Sequence, residues 1–260
     1  LQKKIYFASD LHLGAPDHER SRAREKHFVN WLRSIAGDVS ELVLLGDIFD
    51  FWFEYKRAVP KGFVRLLGTL AELSDSGVSI HLFRGNHDLW YNDYLRDEIG
   101  AQIHHHPQER TWFGRKYFFA HGDGLGPGDK GYKRMKKIVT HPLSRWAFHR
   151  LHPNFGIGLA HWVSQKGGDH NYDNRKAREA WHHGQNDYLY RYVRRKIQSG
   201  SDADCFVFGH RHVMVQEELE KGKEIVILGD WIQYFSYLEI SESGHRLEIY
   251  KPAHLDLAKR

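Results

Sequence analysis

The chain has 260 residues, 41% of them hydrophobic, and a net charge of +5, which allows one large domain or two small ones. The mild basic excess suits an anionic substrate, a nucleic acid or an acidic membrane surface without choosing among them. One cysteine, Cys205, excludes an internal disulfide, and no apolar run approaches a membrane span.

Residues 1–9 alternate as a strand and lack the apolar region of a secretory signal, so the expected location is cytoplasmic. Residues 4–8 predict a short strand running into Ser9-Asp10-Leu11-His12-Leu13-Gly14. Residues two apart in an extended segment point the same way. Asp10 and His12 are thereby aimed at one point, with Leu11 and Leu13 toward a core. Residues 20–35 read as an amphipathic helix with Phe28, Trp31, Leu32 and Ile35 on one face. A second strand, 41–45, ends in Gly46-Asp47-Ile48-Phe49-Asp50, where glycine permits the turn that presents Asp47. Phe51, Trp52 and Phe53 read as packing or a pocket wall. Residues 63–73 read as a crossover helix, and 78–83 as a third strand ending in Arg84-Gly85-Asn86-His87-Asp88. Read alone, Asn86-His87-Asp88 could be an ordinary turn. An amide oxygen beside an imidazole can also hold a metal and move a proton. The strand–helix alternation predicts a parallel βαβ arrangement with right-handed crossovers, whose ligands lie outside the carboxyl ends of the strands.

Residues 91–99 predict a helix. His104-His105-His106 follows, and consecutive strand residues face opposite ways, so this tract reads as structural or surface rather than as one metal site. Residues 116–120 form another strand, ending in His121-Gly122-Asp123-Gly124. The pattern then breaks over 124–202. A glycine-rich loop leads into a basic helix, 130–140, with Lys130, Lys133, Arg134 and Lys137 on one stripe. That stripe is either a solvated face or an attraction for anionic headgroups or a diphosphate. Residues 145–163 carry Trp146, Phe148, Leu151, Phe155, Leu159 and Trp162, which suits a short helical cap with an apolar inner surface. Residues 173–198 predict a longer helix. Strand 203–208, with Cys205 buried in it, ends in Gly209-His210-Arg211-His212. The tail alternates like antiparallel strands over 213–219, 224–228, 234–240 and 247–250, with a turn at Gly229-Asp230-Trp231.

Five strand-end loops thus offer Asp10, His12, Asp47, Asn86, His121, His210 and His212: two carboxylates, an amide oxygen and four imidazoles. The set is too large for one divalent ion and suits two, held about 3.5–4 Å apart around a phosphoryl group. Lacking sulfur, it fits manganese, iron or zinc.

The series Asp10-x-His12, Gly46-Asp47-x-x-Asp50, Gly85-Asn86-His87-Asp88, His121-Gly122-Asp123 and Gly209-His210-x-His212 resembles the calcineurin-like metallophosphoesterase superfamily over residues 4–215. The resemblance implies a four-layer α/β/β/α sandwich. It implies Asp10, His12, Asp47 and His212 on one ion, Asp47, Asn86, His121 and His210 on the other, and a hydroxide between the ions that attacks phosphorus. His87 would contact the phosphoryl oxygens or protonate the leaving group. Asp50, Asp88 and Asp123 would orient imidazoles or loops, or cap turns.

Within the superfamily the chain is most similar to the UDP-2,3-diacylglucosamine hydrolases of lipid A biosynthesis. The similarity rests on length, on Asp129-x-Gly131-Tyr132 after the histidine motif, and on a helical insertion where that family carries its acyl-chain lid. The best-known branch has arginine at position 87 and glutamate at position 50. The resemblance implies a core of residues 1–123 and 203–260 and a lid of 124–202. It implies Asn86, His87, Asp129, Tyr132 and His210 at the substrate, with Ser164, Lys166 and Asn171 as lid candidates. It further implies two divalent ions (manganese favoured), an amphipathic sugar-nucleotide lipid as partner, and transient contact with the cytoplasmic face of the inner membrane. No nucleic acid is expected. The competing expectations are a phosphoesterase acting on nucleotides, nucleic acid or phosphoprotein, and a non-enzymatic scaffold of the same fold.

Overall fold

A computed structural model describes residues 3–126, 128, 130–166, 187–220 and 222–251. Two sheets face each other. In the first, β1 (Lys4–Ala8), β2 (Val39–Leu44), β3 (Ser79–Phe83) and β4 (Gln102–His104) run parallel. The second is built on β5 (Gln108–Trp112), β6 (Arg115–Ala120), β7 (Cys205–Phe208), β8 (Met214–Glu218) and β9 (Glu224–Leu228), in the order β5-β6-β7-β9-β8. Within it β6, β7 and β9 are parallel, and the edges β5 and β8 are antiparallel. The chain then returns to the first sheet as β10 (Ser236–Ser241) and β11 (Gly244–Ile249), completing the order β11-β10-β1-β2-β3-β4.

The two-residue period of the strands sets the layers. Tyr6, Ala8, Leu42 and Leu44 pack against α1 (His18–Ile35), α2 (Val64–Asp75) and α3 (Tyr94–Ile99). The alternate residues Ile5, Phe7, Val43 and Leu45 meet Tyr117, Phe119, Cys205 and Val207 between the sheets. On the far side Phe118, Ala120, Phe206 and Phe208 are covered by the last helix, which the insertion helices precede. The order along the chain is α4 (Lys130–Val139), α5 (Pro142–His149), α6 (Pro153–Lys166) and α7 (Tyr188–Gln198), and α7 buries Leu189, Tyr190, Val193 and Ile197 in that cluster. The result is the expected helix–sheet–sheet–helix sandwich.

Differences from expectation are local. The first helix begins two residues early because Asp17 caps it, its carboxylate accepting from the Arg20 N–H at 2.8 Å. The third starts at Tyr94, since Tyr91 is buried beneath the site loops. Strands β4 and β5 were not anticipated: they are short, polar and lie next to one another in the chain at sheet edges. Of the helix expected over 173–198, residues 173–186 lie outside the described residues.

α4 and α5 bury no residue completely. The apolar inner surface expected over 145–163 is carried by Phe148, whose ring lies 4.6 Å from that of Phe53 and 5.0 Å from Trp90. Trp146 and Phe155 instead lie exposed, with Met135, Ile138 and Leu143. No helix among the described residues is long and apolar enough to cross a membrane.

Candidate metal centre

The loops after β1, β2, β3, β6 and β7 bring the expected donors together. Among the described residues, three groups have ligand atoms within 4.8 Å of one another: Asp10, His12 and His212; His12, Asp47 and His87; Asp47, His121 and His210. Asp47 belongs to two of them. Its Oδ2 lies 3.6 Å from His12 Nε2 and 3.3 Å from His121 Nε2. Asp10 Oδ1 lies 3.4 Å from His212 Nε2, and Asn86 Oδ1 lies 3.2 Å from His121 Nε2.

The backbone achieves this by a route other than the extended alternation expected. Asp10, His12, Asp47, His210 and His212 have φ of 57°, 44°, 53°, 67° and 51°. They are five of the eight non-glycine residues with positive φ among the described residues. Each left-handed residue costs about 1–2 kcal/mol and persists only where its surroundings fix it. Asp10 and His12 converge because the chain kinks at both. The loops are also locked together: Asp10 N–H donates to Gly46 O at 3.1 Å, and His12 N–H to Asp47 O at 2.9 Å. Gly85 permits the closest approach, since a Cβ there would stand 2.0 Å from Asp47 Oδ1.

The imidazoles are held by their outer nitrogens. His121 Nδ1 lies 2.8 Å from the Leu45 carbonyl, so it carries the proton and donates it there. His212 Nδ1 faces Asp230 Oδ2 at 3.2 Å. His12 Nδ1 and His87 Nδ1 face Asp50 Oδ1 at 3.6 and 3.3 Å. The Nε2 atoms of His12, His121 and His212 are thereby turned toward Asp47 and Asp10, the orientation that outer partners impose on metal-binding histidines. Sequence reasoning passed over Asp230 as a turn residue, although Gly229-Asp230 after an apolar run matches Gly46-Asp47. Asp230→Ala is expected to weaken manganese binding by about 10–100-fold, measured by calorimetric titration, with the fold intact.

The carboxylates of the site draw positive charge to it. Burial works to raise the Asp47 carboxyl, yet the His121, His87 and His12 imidazoles hold it well below the usual range. Burial opposes protonation of His121 and His87, but carboxylates prevail: Asp47 chiefly pushes His121 up to about 10, and Asp47 with Asp50 pushes His87 up to about 9. Burial, then His121, pushes His210 down to about 3, leaving a neutral imidazole able to donate a lone pair. An ionised buried carboxylate among imidazoles, with no thiolate, is a ligand set suited to divalent manganese, iron or zinc once His121 gives up its Nε2 proton.

Residues 3–214 match the family profile described as Calcineurin-like phosphoesterase. The chain belongs to that family. Curated relatives named UDP-2,3-diacylglucosamine hydrolase align along nearly its whole length. The protein from Porphyromonas gingivalis is 38% identical over 245 residues, 91% of this chain and 94% of that one. The Haemophilus influenzae protein is 28% identical over 93% of this chain and 97% of its own. The Pseudomonas fluorescens protein is 27% identical over 95% and 94%.

In this calcineurin-like phosphoesterase the three supporting aspartates divide their tasks. Asp50 faces His12 and His87, as above. Asp88 clamps loops, accepting from the N–H groups of Gly85, Asp47, Ile48 and Phe49 and from the Tyr91 hydroxyl. Asp123 accepts from the Tyr132 hydroxyl and Lys136, tying α4 to the β6 loop. Asp129, Asn171 and the side chains of Ser164 and Lys166 lie outside the described residues.

Proposed function

We propose that this phosphoesterase hydrolyses UDP-2,3-diacylglucosamine to UMP and 2,3-diacylglucosamine 1-phosphate by attack of water on the α-phosphorus. The observation that carries the reading is the 38% identity, end to end, with a curated protein of that name. The convergence of Asp10, His12, Asp47, His121, His210 and His212, with Asn86 beside His121, supports it.

In this reading Asp10, His12, Asp47 and His212 hold one divalent ion, and Asp47, Asn86, His121 and His210 hold the other, with manganese favoured over iron or zinc. When bound, such a pair neutralises phosphoryl charge and lowers the pKa of water. Asn86, His87 and His210 line the place where the phosphoryl group sits. Asp50 fixes the Nδ1 side of His87, leaving Nε2 to contact a phosphoryl oxygen or to protonate the departing group. Tyr132, in the first turn of α4, contacts the substrate, and Asp129 is assigned to the substrate by resemblance alone.

The core is residues 1–123 and 203–260 together with α7, which packs on the second sheet, and the lid lies in the rest of 124–202. α4–α6 supply its apolar surface, on which Met135, Ile138, Leu143, Trp146 and Phe155 stand exposed, a face suited to acyl chains. Beside them the basic stripe of α4 favours transient contact with the anionic cytoplasmic face of the inner membrane. Metal-loaded protein given UDP-2,3-diacylglucosamine with manganese in detergent is expected to release UMP, and chelation to stop release. Retained activity after chelation, or cleavage of simple phosphodiesters with no UMP formed, would count against the reading.

A further inference from the structure

Three of the parallel strands of the first sheet, β1, β2 and β3, deliver donors to the metal centre from their carboxyl ends. The fourth, β4, ends in His104-His105-His106. The register pairs Phe83 with His104, and Arg84 N–H donates to His104 O at 3.2 Å. The histidine tract therefore runs alongside Arg84-Gly85-Asn86-His87-Asp88. His104 anchors it, with its ring 4.6 Å from Phe83 and Nε2 3.1 Å from His81 Nδ1.

A cavity of about 600 Å³ lies between this tract, the loop after β6 and α4. His121 of the metal centre forms part of its wall, so the two spaces adjoin. Arg84, His105, His106, Lys133 and Lys136 supply the polar lining. The carboxylate of Asp123 is engaged by Tyr132 and Lys136, so the balance is cationic. Arg84 donates one NH2 hydrogen to Tyr91 O at 2.9 Å, while its buried Nε has no hydrogen-bond partner among the described residues. The guanidinium is thereby held at the cavity wall, where its charge attracts an anionic oxygen. Partial burial, then Arg84, His106 and Arg145, pushes the His105 imidazole down to about 4. At neutral pH it is an uncharged flat ring among cations, able to stack on a base and to form a hydrogen bond.

A neighbouring cavity has a different lining. A second cavity, about 830 Å³, opens beside Gly14 and Phe51, next to the His12 and Asp50 loops, and is walled by Val59, Phe63 and Ile157. The first cavity is thus imidazole-rich, while the second mixes apolar surface with His18, Arg22, Glu25, Lys61 and Arg65. Six hundred cubic ångströms exceeds what a lone phosphate needs and falls in the range of small-ligand pockets, about 300–1,000 Å³.

We propose that the cavity beneath the histidine tract receives the nucleoside monophosphate half of the substrate, with phosphate toward Arg84 and Lys136 and base against His105 and His106. This assigns a role to a tract that the metal centre leaves unused, and it rests on the sugar-nucleotide reading above.

The test is calorimetric titration of the manganese-loaded full chain with UMP and, separately, with inorganic phosphate. Wild type is compared with the double variant His105→Ala/His106→Ala and with Arg84→Gln, each checked for fold by circular dichroism. UMP is expected to bind wild type more tightly than inorganic phosphate. Its Kd should rise about tenfold or more in the double variant, the range of losing a stacked base, while the phosphate Kd moves less than about twofold. Arg84→Gln should weaken UMP as well. Unchanged UMP affinity in the double variant, or equal wild-type affinity for UMP and phosphate, overturns the assignment. The titration needs no turnover, so it reads the cavity separately from the reaction. UMP release in the detergent assay with unaltered UMP affinity in the variants would remove the cavity's role and leave the activity standing.

Discussion

Asp47→Ala is expected to lower hydrolysis by about a thousandfold or more. Asp47 is the one carboxylate present in two of the donor groups, and the same Oδ2 faces His12 on one side and His121 on the other. Its Oδ1 accepts the His87 backbone N–H at 2.9 Å, so it also fixes the loop that carries Asn86 and His87. Alanine removes both roles. Metal analysis of the purified variant should find fewer than two manganese ions per chain. Near-normal turnover with two ions bound would refute a shared Asp47.

The second large effect is on stability. Asp88 is fully buried and accepts hydrogen bonds at 2.7 Å from Gly85 N, 2.8 Å from Ile48 N, 3.2 Å from Asp47 N and 3.3 Å from Phe49 N, besides the Tyr91 hydroxyl. Asp88→Ala leaves several buried donors without an acceptor, each costing about 1–3 kcal/mol before relaxation. A net loss of about 3–5 kcal/mol is expected, which for a chain of this size lowers Tm by about 10 °C. Scanning calorimetry measures it. Asp88→Asn, which keeps an acceptor oxygen, should recover part of the loss. A change under about 2 °C for the alanine variant would show that the clamp contributes little.

Much of this was legible in the residues. Each donor follows an apolar run, so the run announces a buried strand and the polar residue after it announces that strand's exposed end. The layers follow from strict alternation, as with Ile5 and Phe7 against Tyr6 and Ala8. Asp230 carries only the Gly229-Asp230 signal after an apolar run, and the alternation of the tail reads as antiparallel strands alone. β9 does pair antiparallel with β8, but it also runs parallel to β7, and that second pairing puts residue 230 behind His212. Strands β4 and β5 escaped because Gln, His, Glu and Arg at a sheet edge lack the alternation that marks a half-buried strand. The openness of Trp146 and Phe155 escaped for a different reason. An apolar periodicity says that a face wants cover, and says nothing of whether the same chain supplies it.

The left-handed donors bear on how portable such a centre is. At Asp10, His12, Asp47, His210 and His212 the position of the ligand atom is written in a torsion angle as much as in a side chain. Grafting the same seven residues onto the tips of straight strands in another scaffold would spread their atoms apart. A designer would have to transplant the loops whole, with Gly85 and the Asp88 clamp, before any change of side chain could tune the chemistry.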